Sequence, residues 1–323
     1  MKAMIFAAGM GTRLKPITDT MPKALVPVSG KPLLSHVIEK LHSAGFSDFV
    51  INLHHFANQI KDYAMSEEFM ASLAGLNKLD NKNSGVGVDC FGKSASEIKL
   101  HFSDETDLLR ETGGGVRHAA SLLNDGEPFL VHNVDIISNL DVESFYREHY
   151  DAYIKKGSDE GDGGSEKILA TLLVSDRKTE RYLLFDSDDM LVGWMNIKSG
   201  EVKSPFEELR RDAAVVSNNV VSNGGAGGEN LSGRGEEFDY ETFLQEYNLK
   251  KYAFAGIHVM SPEIFALMAD MPEKFSIITF YLSCCHKYRI KGHVEENLKL
   301  VDVGKLDSLE KAEEMVAQLK DEE

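Results

Sequence analysis

The sequence predicts an α/β fold, a mainly parallel sheet flanked by helices, in a single domain over residues 1–323. Three observations predict it. Short apolar runs alternate with longer stretches of helical spacing, and strands alternating with helices require crossover connections. Hydrophobic residues make up 42% of the chain, enough to fill a core. No stretch is apolar over the length of a bilayer crossing, and the first residues read as a strand rather than a signal sequence.

The elements follow in order. KAMIFAA is short, apolar and ended by Gly9, as a buried strand should be. PLLSHVIEKLHSAGF puts Leu34, Val37, Ile38 and Leu41 on one helical face, with Gly45 as its stop. DFVINLH is a second strand and FANQIKDYAM the helix after it. IKLHF, GGVRHAASLL, PFLVHNVDI and DVESFYREHYDAYIK continue as strand, helix, strand and helix. KILATLLVSD is a further strand. RYLLFDSDDMLVGWM is a hairpin, two apolar runs around a polar DSDD turn. KYAFAGIHVM reads as a strand, PEIFALM and FSIITFYLSCCHKY as helices, and LDSLEKAEEMVAQLK as a closing amphipathic helix. Residues 157–165 and 217–237 are rich in glycine, serine and acidic side chains, with too little apolar content to pack, so they are expected as mobile insertions. The region near Ser72 to Ser96 is a third expected insertion.

The 35 basic and 52 acidic residues give a net charge of −17, which argues against a nucleic-acid partner. The local balance inverts at the start of the chain. Between Met1 and Lys31 stand Lys2, Arg13, Lys15, Lys23 and Lys31, opposed only by Asp19. Cys90, Cys284 and Cys285 suggest no disulfide framework, and a reducing, cytoplasmic setting with no membrane partner is expected. Cys284 and Cys285 lie in an apolar helical run and should pack. His54 and His55 have no carboxylate or cysteine pattern around them to make a zinc site.

The basic cluster contains the stretch FAAGMGTRLKP, Phe6 to Pro16. It is not a Walker loop, and Leu14 occupies the third glycine position of the dinucleotide fingerprint. What remains is a strand, a glycine turn and positive charge. Backbone N–H groups from Gly9 to Thr12 are able to surround phosphate oxygens, and Arg13 adds a planar fork suited to phosphate. An ordinary strand-to-helix turn is the competing explanation of the glycines alone.

The longer pattern decides between them. AAGMGTRLKPITDTMPKALVPVSGKPLL carries A-A-G-x-G-T-R-L, P-[IL]-T, P-K-A-L and G-[KR]-P-L in order. It resembles the N-terminal signature of the sugar-1-phosphate nucleotidyltransferases, which join a nucleoside triphosphate to a sugar 1-phosphate and release pyrophosphate. ETGGGV (Glu111 to Val116) resembles that family's loop against base and sugar. HNVDI (His132 to Ile136) stands in the place of its N-G-D strand end, and LVDVGKLDSLEKAEE resembles its closing D-x-G-T segment. The hairpin and YAFAGIHVMSPEIF look like its sugar-side strands.

The resemblance implies a Rossmann-like, nucleotide-diphospho-sugar transferase fold, with residues 1–150 as nucleotide-binding core and residues 151–323 as sugar-binding part and C-terminal helix. It implies Arg13 on the β- and γ-phosphates and Lys23 near the α-phosphate and the sugar phosphate as catalytic residues. Ala8, Gly9, Gly11, Thr12, Gly113 and Gly114 would bind the nucleotide, with Gly115 beside them, and Glu111 and Gly256 the sugar. Asp135 ends an apolar strand, Asp302 follows the apolar pair Leu300 and Val301, and in these motif positions the two are the expected ligands of Mg²⁺, a hard cation suited to carboxylate and phosphate oxygens. The expected partners are UTP or GTP and a sugar 1-phosphate; oligomeric state is left open.

Within the family, E-T-G-G-G and the absence of E-K-P after the hairpin, where WMNIKSG stands, look most like N-acetylmuramate 1-phosphate uridylyltransferases of cell-wall sugar recycling. Mannose 1-phosphate or heptose 1-phosphate guanylyltransferase is the close alternative. Val134 replaces the usual glycine before Asp135, and Lys305 the usual threonine after D-x-G. Val134 and the insertions motivate a rival of another class, a catalytically silent nucleotide-sugar-binding regulator. A kinase is excluded for want of a Walker or kinase-type loop.

Overall fold

The structure, a computed structural model, describes residues 1–80, 98–155, 168–212 and 238–322. The insertions expected at 157–165 and 217–237, and Cys90, lie outside the described residues.

Strands are β1 Lys2–Phe6, β2 Pro27–Val28, β3 Lys31–Pro32, β4 Asp48–Leu53, β5 Lys99–Asp104, β6 Phe129–Asn133, β7 Ile136–Ser138, β8 Ile168–Ser175, β9 Arg181–Phe185, β10 Leu191–Asn196, β11 Glu201–Lys203, β12 Lys250–Met260, β13 Arg289–Val294 and β14 Leu300–Asp302. Helices are α1 Leu33–Ser43, α2 Ala57–Ala64, α3 Glu67–Asp80, α4 Glu111–His118, α5 Ala120–Leu123, α6 Val142–Ile154, α7 Tyr240–Glu246, α8 Ile264–Leu267, α9 Ile277–Cys284 and α10 Asp307–Glu322. No helix among the described residues is long and apolar enough to cross a membrane.

The central sheet runs β11-β10-β9-β12-β6-β1-β4-β5, with β8 on β12 and β13 on β8. It is mixed and parallel through its N-terminal half: β6, β1, β4 and β5 pair in parallel, and β13 pairs in parallel with β8. The antiparallel part centres on β12, which pairs with β6, β8 and β9, and on the β9–β10–β11 meander.

Strand alternation sorts the core onto two faces. Ala3, Ile5, Phe49, Ile51 and Leu130 join α1, α2, α6 and α10 in one cluster. Met4, Val50, Phe129 and Val131 face the opposite cluster, with α8 and α9. Each of the larger side chains here, Ile, Leu, Val, Met or Phe, contributes about 1.5–3 kcal/mol on full burial. The first helix ends as expected: Gly45 takes φ +84°, and the Phe46 N–H returns to Leu41 O.

Candidate active site

The parallel strands β1 and β6 end side by side, Phe6 opposite Asn133, and the chain that leaves each forms one side of a cavity of about 250 Å³. Open α/β sheets place ligands beyond such carboxyl ends. Phe6, Ala8 and Gly9 line the cavity from β1, Asn133, Val134 and Asp135 from β6, and Glu111 and Thr112 from the head of α4. Lys23 and Asn52 complete it. A larger cavity, about 630 Å³, lies between α1, the β7 segment and α10, and is lined by none of the expected catalytic, nucleotide, sugar or metal residues.

The glycine loop is built by its own backbone. Gly11 takes φ +62°, its carbonyl accepts from Leu14 N and Thr18 Oγ1 at 2.8 Å each, and a Cβ there would press on Thr18. Leu14, fully buried, pins the one-turn helix Thr12–Leu14 to the core. A Cβ at Gly9 would meet nothing within 4 Å, so the main chain there is open to close approach. Thr12 and Arg13 are exposed on the same loop.

Carboxylates and cations converge next to it. Lys23, on a one-turn helix Lys23–Leu25 and only 8% exposed, donates a short charge-assisted hydrogen bond to Asp135 Oδ2. β14 pairs antiparallel with β7, setting Asp302 opposite Ile136, and Val303 N donates to Asp135 O at 2.8 Å. The two aspartates are thereby brought together from residues 167 positions apart in the chain. Burial, then the neighbouring Asp135, pushes the Asp302 carboxyl up; Lys23, Arg13 and Arg177 oppose that shift. Asp302 Oδ1 is buried and has no hydrogen-bond partner. The Arg13 guanidinium lies against Gly304, where a Cβ would meet its Nη2 at 2.9 Å.

This geometry passes the test for a hard divalent cation. A buried carboxylate oxygen without a donor, beside a second carboxylate, is suited to a further cation in addition to Lys23. No group of three or more His, Cys, Asp or Glu stands together among the described residues. Two carboxylates and open positions for phosphate and water suit Mg²⁺ better than a closed protein cage.

Other expected residues sit differently. Glu111 opens α4 with φ +61°, an uncommon conformation for glutamate, and its carboxylate faces Lys274 at 3.8 Å. Gly113, Gly114 and Gly115 lie inside α4, buried; the helix expected from Gly114 onward already begins at Glu111, so the segment that resembles a base-and-sugar loop is helical. The Gly113 and Gly114 amides both donate to Phe275 O, a Cβ at Gly113 would enter the Phe275 ring, and one at Gly114 would meet Glu273 O at 2.6 Å. Their close backbone approach is to the segment before α9. Gly256, φ +78°, lies on β12 where its register with β8 shifts, and packs over the side chain of Asn133. It touches a cavity residue and does not line the cavity. Val134 is 3% exposed, belongs to the core, and its amide donates to Phe6 O at 3.2 Å. His54 Nδ1 bonds Glu105 O at 2.7 Å.

Sequence reasoning missed Asn52, Thr112, Asn133 and Arg177. The signal for Asn52 was a lone polar residue in the apolar run DFVINL; Asn133 stood unremarked in HNVDI. Nothing in DRKTE singled out Arg177, whose Nη2 donates to Phe254 O at 3.0 Å.

The profile of the nucleotidyl transferase family matches residues 2–161, the segment that carries the glycine loop, Lys23, α4 and Asp135. That match covers just under half of the chain. N-acetylmuramate alpha-1-phosphate uridylyltransferase of Caulobacter vibrioides is 36% identical to this chain over 135 residues, 42% of this chain and 46% of that one. Mannose-1-phosphate guanylyltransferase catalytic subunit beta of Dictyostelium discoideum is 33% identical over 152 residues, 46% and 35% respectively. The chain spans about half the length of the curated relatives it matches. A UDP-glucose pyrophosphorylase solved with UDP-glucose superposes with a TM-score of 0.60 at 16% identity, covering 98% of each chain. That likeness is one of fold, and it spans residues on both sides of position 161.

Proposed function

We propose that the protein transfers a nucleotidyl group from a nucleoside triphosphate to a sugar 1-phosphate in a Mg²⁺-dependent reaction, releasing pyrophosphate. The observation that carries this reading is the convergence of Lys23, Asp135 and Asp302, with Arg13 nearby, beside a glycine loop whose Gly9 is open to close approach. In this assignment residues 1–150 hold the nucleotide and residues 151–323 the sugar side.

The chemistry asks the chain for electrostatics more than for a nucleophile. A sugar-phosphate oxygen, already ionised, attacks the α-phosphorus, and two polyanions must be held in line. Amides from Gly9 to Thr12, with Ala8 and Gly11 shaping the turn, bind phosphate oxygens. Arg13 holds the β- and γ-phosphates that leave as pyrophosphate. Lys23 balances Asp135 in the free protein and orients the α-phosphate and incoming phosphate when substrates are bound. Asp135 and Asp302 would hold Mg²⁺, which when bound supplies neutralisation of the charge spread over the transferring and leaving groups. Glu111, exposed at the cavity rim, takes a hydroxyl of ribose or sugar. Gly113, Gly114 and Gly256 contribute by packing, which seats Glu111 and Asn133.

The substrate pair we favour is UTP with N-acetylmuramate 1-phosphate, as in cell-wall sugar recycling; the relative of Caulobacter vibrioides supports it. The alternative is a mannose or heptose guanylyltransferase, which the Dictyostelium relative supports. The regulatory reading loses one of its two motives, because Val134 is a core residue without a left-handed backbone; the other, the insertions at 157–165 and 217–237, lies outside the described residues. The test crosses UTP, GTP, CTP and dTTP with muramic, glucosamine-type, mannose and heptose 1-phosphates and follows pyrophosphate. Turnover with one pair, lost in Lys23→Ala and Asp135→Ala, supports the proposal. A folded protein silent across the grid, yet binding a nucleotide sugar, contradicts it.

A further inference from the structure

The glycine loop and the head of α4, which line the cavity from different sides, share a buried polar link. Asn52, at 3% exposure near the end of β4, accepts hydrogen bonds at Oδ1 from Ala7 N at 2.7 Å and Ala8 N at 3.2 Å. Those amides are the first two beyond β1, where the chain turns into the glycine loop. Asn52 Nδ2 in turn donates to Glu105 Oε1 at 2.9 Å. Glu105 is fully buried, and its other oxygen, Oε2, accepts from Arg110 N at 3.1 Å. Arg110 immediately precedes Glu111, the residue held at φ +61°.

Every polar atom in this link has one role. An asparagine is needed at 52 because one end must accept two amides while the other donates. A carboxylate is needed at 105 because both of its oxygens must accept. Neither residue faces bulk solvent, and an unpaired group here would be costly. A link of this kind is more specific than packing requires, since an apolar pair could fill the same space but would leave the Ala7, Ala8 and Arg110 amides unpaired.

Resting on the nucleotidyl-transfer reading, we infer that Asn52 and Glu105 form a positioning pair that sets the glycine loop and the head of α4 relative to each other. Nucleoside-triphosphate affinity then depends on the pair jointly, and the pair touches no reacting atom.

The donor–acceptor pattern supplies its own test. Asn52→Asp keeps the acceptor for Ala7 and Ala8 but sets a carboxylate against Glu105. Glu105→Gln keeps one acceptor and loses the other. In the double variant the new glutamine amide donates to the new carboxylate and its carbonyl accepts Arg110 N, so every bond is restored with donor and acceptor exchanged. The full chain is measured by hydrogen exchange over residues 4–12 and by calorimetric affinity for UTP and GTP with Mg²⁺. The KM for nucleotide and for sugar 1-phosphate is taken where turnover is found.

Each single variant is expected to speed exchange at Ala7 and Ala8 and to weaken triphosphate binding about tenfold or more, with the sugar-phosphate KM little changed. The double variant is expected within about threefold of the parent on both counts. Rescue of folding by the double, where Asn52→Asp alone fails to fold, supports the pair equally. Losses that simply add in the double, or an Asn52→Asp variant that matches the parent, overturn it. A parent that binds no nucleotide defeats the functional reading, while the exchange pattern still decides the pair.

Discussion

Three histidines are sealed inside this fold, and they make it acid-labile in a measurable way. His132 on β6 bonds Asn133 O at 2.7 Å, His149 on α6 lies between Thr171 Oγ1 and Ser261 Oγ, and His258 on β12 bonds Tyr281 Oη at 2.6 Å. Each is at most 1% exposed. Burial pushes His132 down to about 4, and His149 and His258 down to about 3, from an ordinary 6.5. The folded chain therefore refuses protons that the unfolded chain accepts below pH 6.5, and stability falls as pH falls. Between pH 7.5 and 5 each histidine removes about 2 kcal/mol, so the three together remove roughly 6, comparable with the whole stability of a domain.

His293 acts in the opposite sense. Glu148 and Glu295 hold it above its ordinary value, so its contribution is complete below 6.5 and lost as pH rises. Glu148, pulled down to about 2 chiefly by His293, loses its contribution only below about 4.5, outside this window. The difference between parent and His149→Gln isolates one buried histidine. Urea unfolding followed by Trp194 fluorescence at pH 7.5, 6.5, 5.5 and 5.0 should show the parent losing about 2 kcal/mol more than the variant. Equal losses in parent and variant, or a parent whose stability is level down to pH 5, would refute the reasoning.

Other outcomes follow from the site and its supports. Lys23→Ala should lower kcat by about 10²–10³-fold in a protein of unchanged circular dichroism, since it removes the cation paired with Asp135. Asp302→Asn should abolish activity and divalent binding by calorimetry while leaving thermal stability unchanged or raised by at most about 1 kcal/mol, because it relieves a crowded carboxylate pair that solvent partly screens. Gly113→Ala should cost about 1–3 kcal/mol in urea melts, the new methyl entering the Phe275 ring. Cys284 and Cys285, whose thiols burial pushes up to about 12, should resist iodoacetamide at pH 7.5 until the chain unfolds, as read by peptide mass spectrometry.

Much of the fold was legible because periodicity and burial coincide. KAMIFAA, DFVINLH and PFLVHNVDI are buried on both faces and read as near-continuous apolar runs, which is what parallel strands require. RIKGHV, by contrast, became β13 with a half-polar pattern, since its strand character comes from pairing beside β8 rather than from local preference. The two-residue strands β2 and β3, and the β7–β14 pair, are set by tertiary contact and leave no local signature. At the site, the charged residues were legible through an ordered motif. Gly114 and Gly115 are expected to open a helix, but the helix begins earlier, at Glu111, and Gly113 and Gly114 are needed because the segment before α9 packs where their side chains would stand. Asn52 and Glu105 escaped notice because their meaning lies in the hydrogen bonds they share across 53 residues.

The most direct test of the account follows phosphorus itself. Purified protein, Mg²⁺, UTP or GTP and the matching sugar 1-phosphate are watched by ³¹P NMR. Attack at the α-phosphorus by the sugar phosphate predicts a nucleotide-sugar diphosphate and pyrophosphate appearing one for one, with no nucleoside diphosphate. Orthophosphate and nucleoside diphosphate in their place would mean that the γ-phosphoryl group had moved, and the assignment of Arg13, Lys23, Asp135 and Asp302 to nucleotidyl transfer would be wrong.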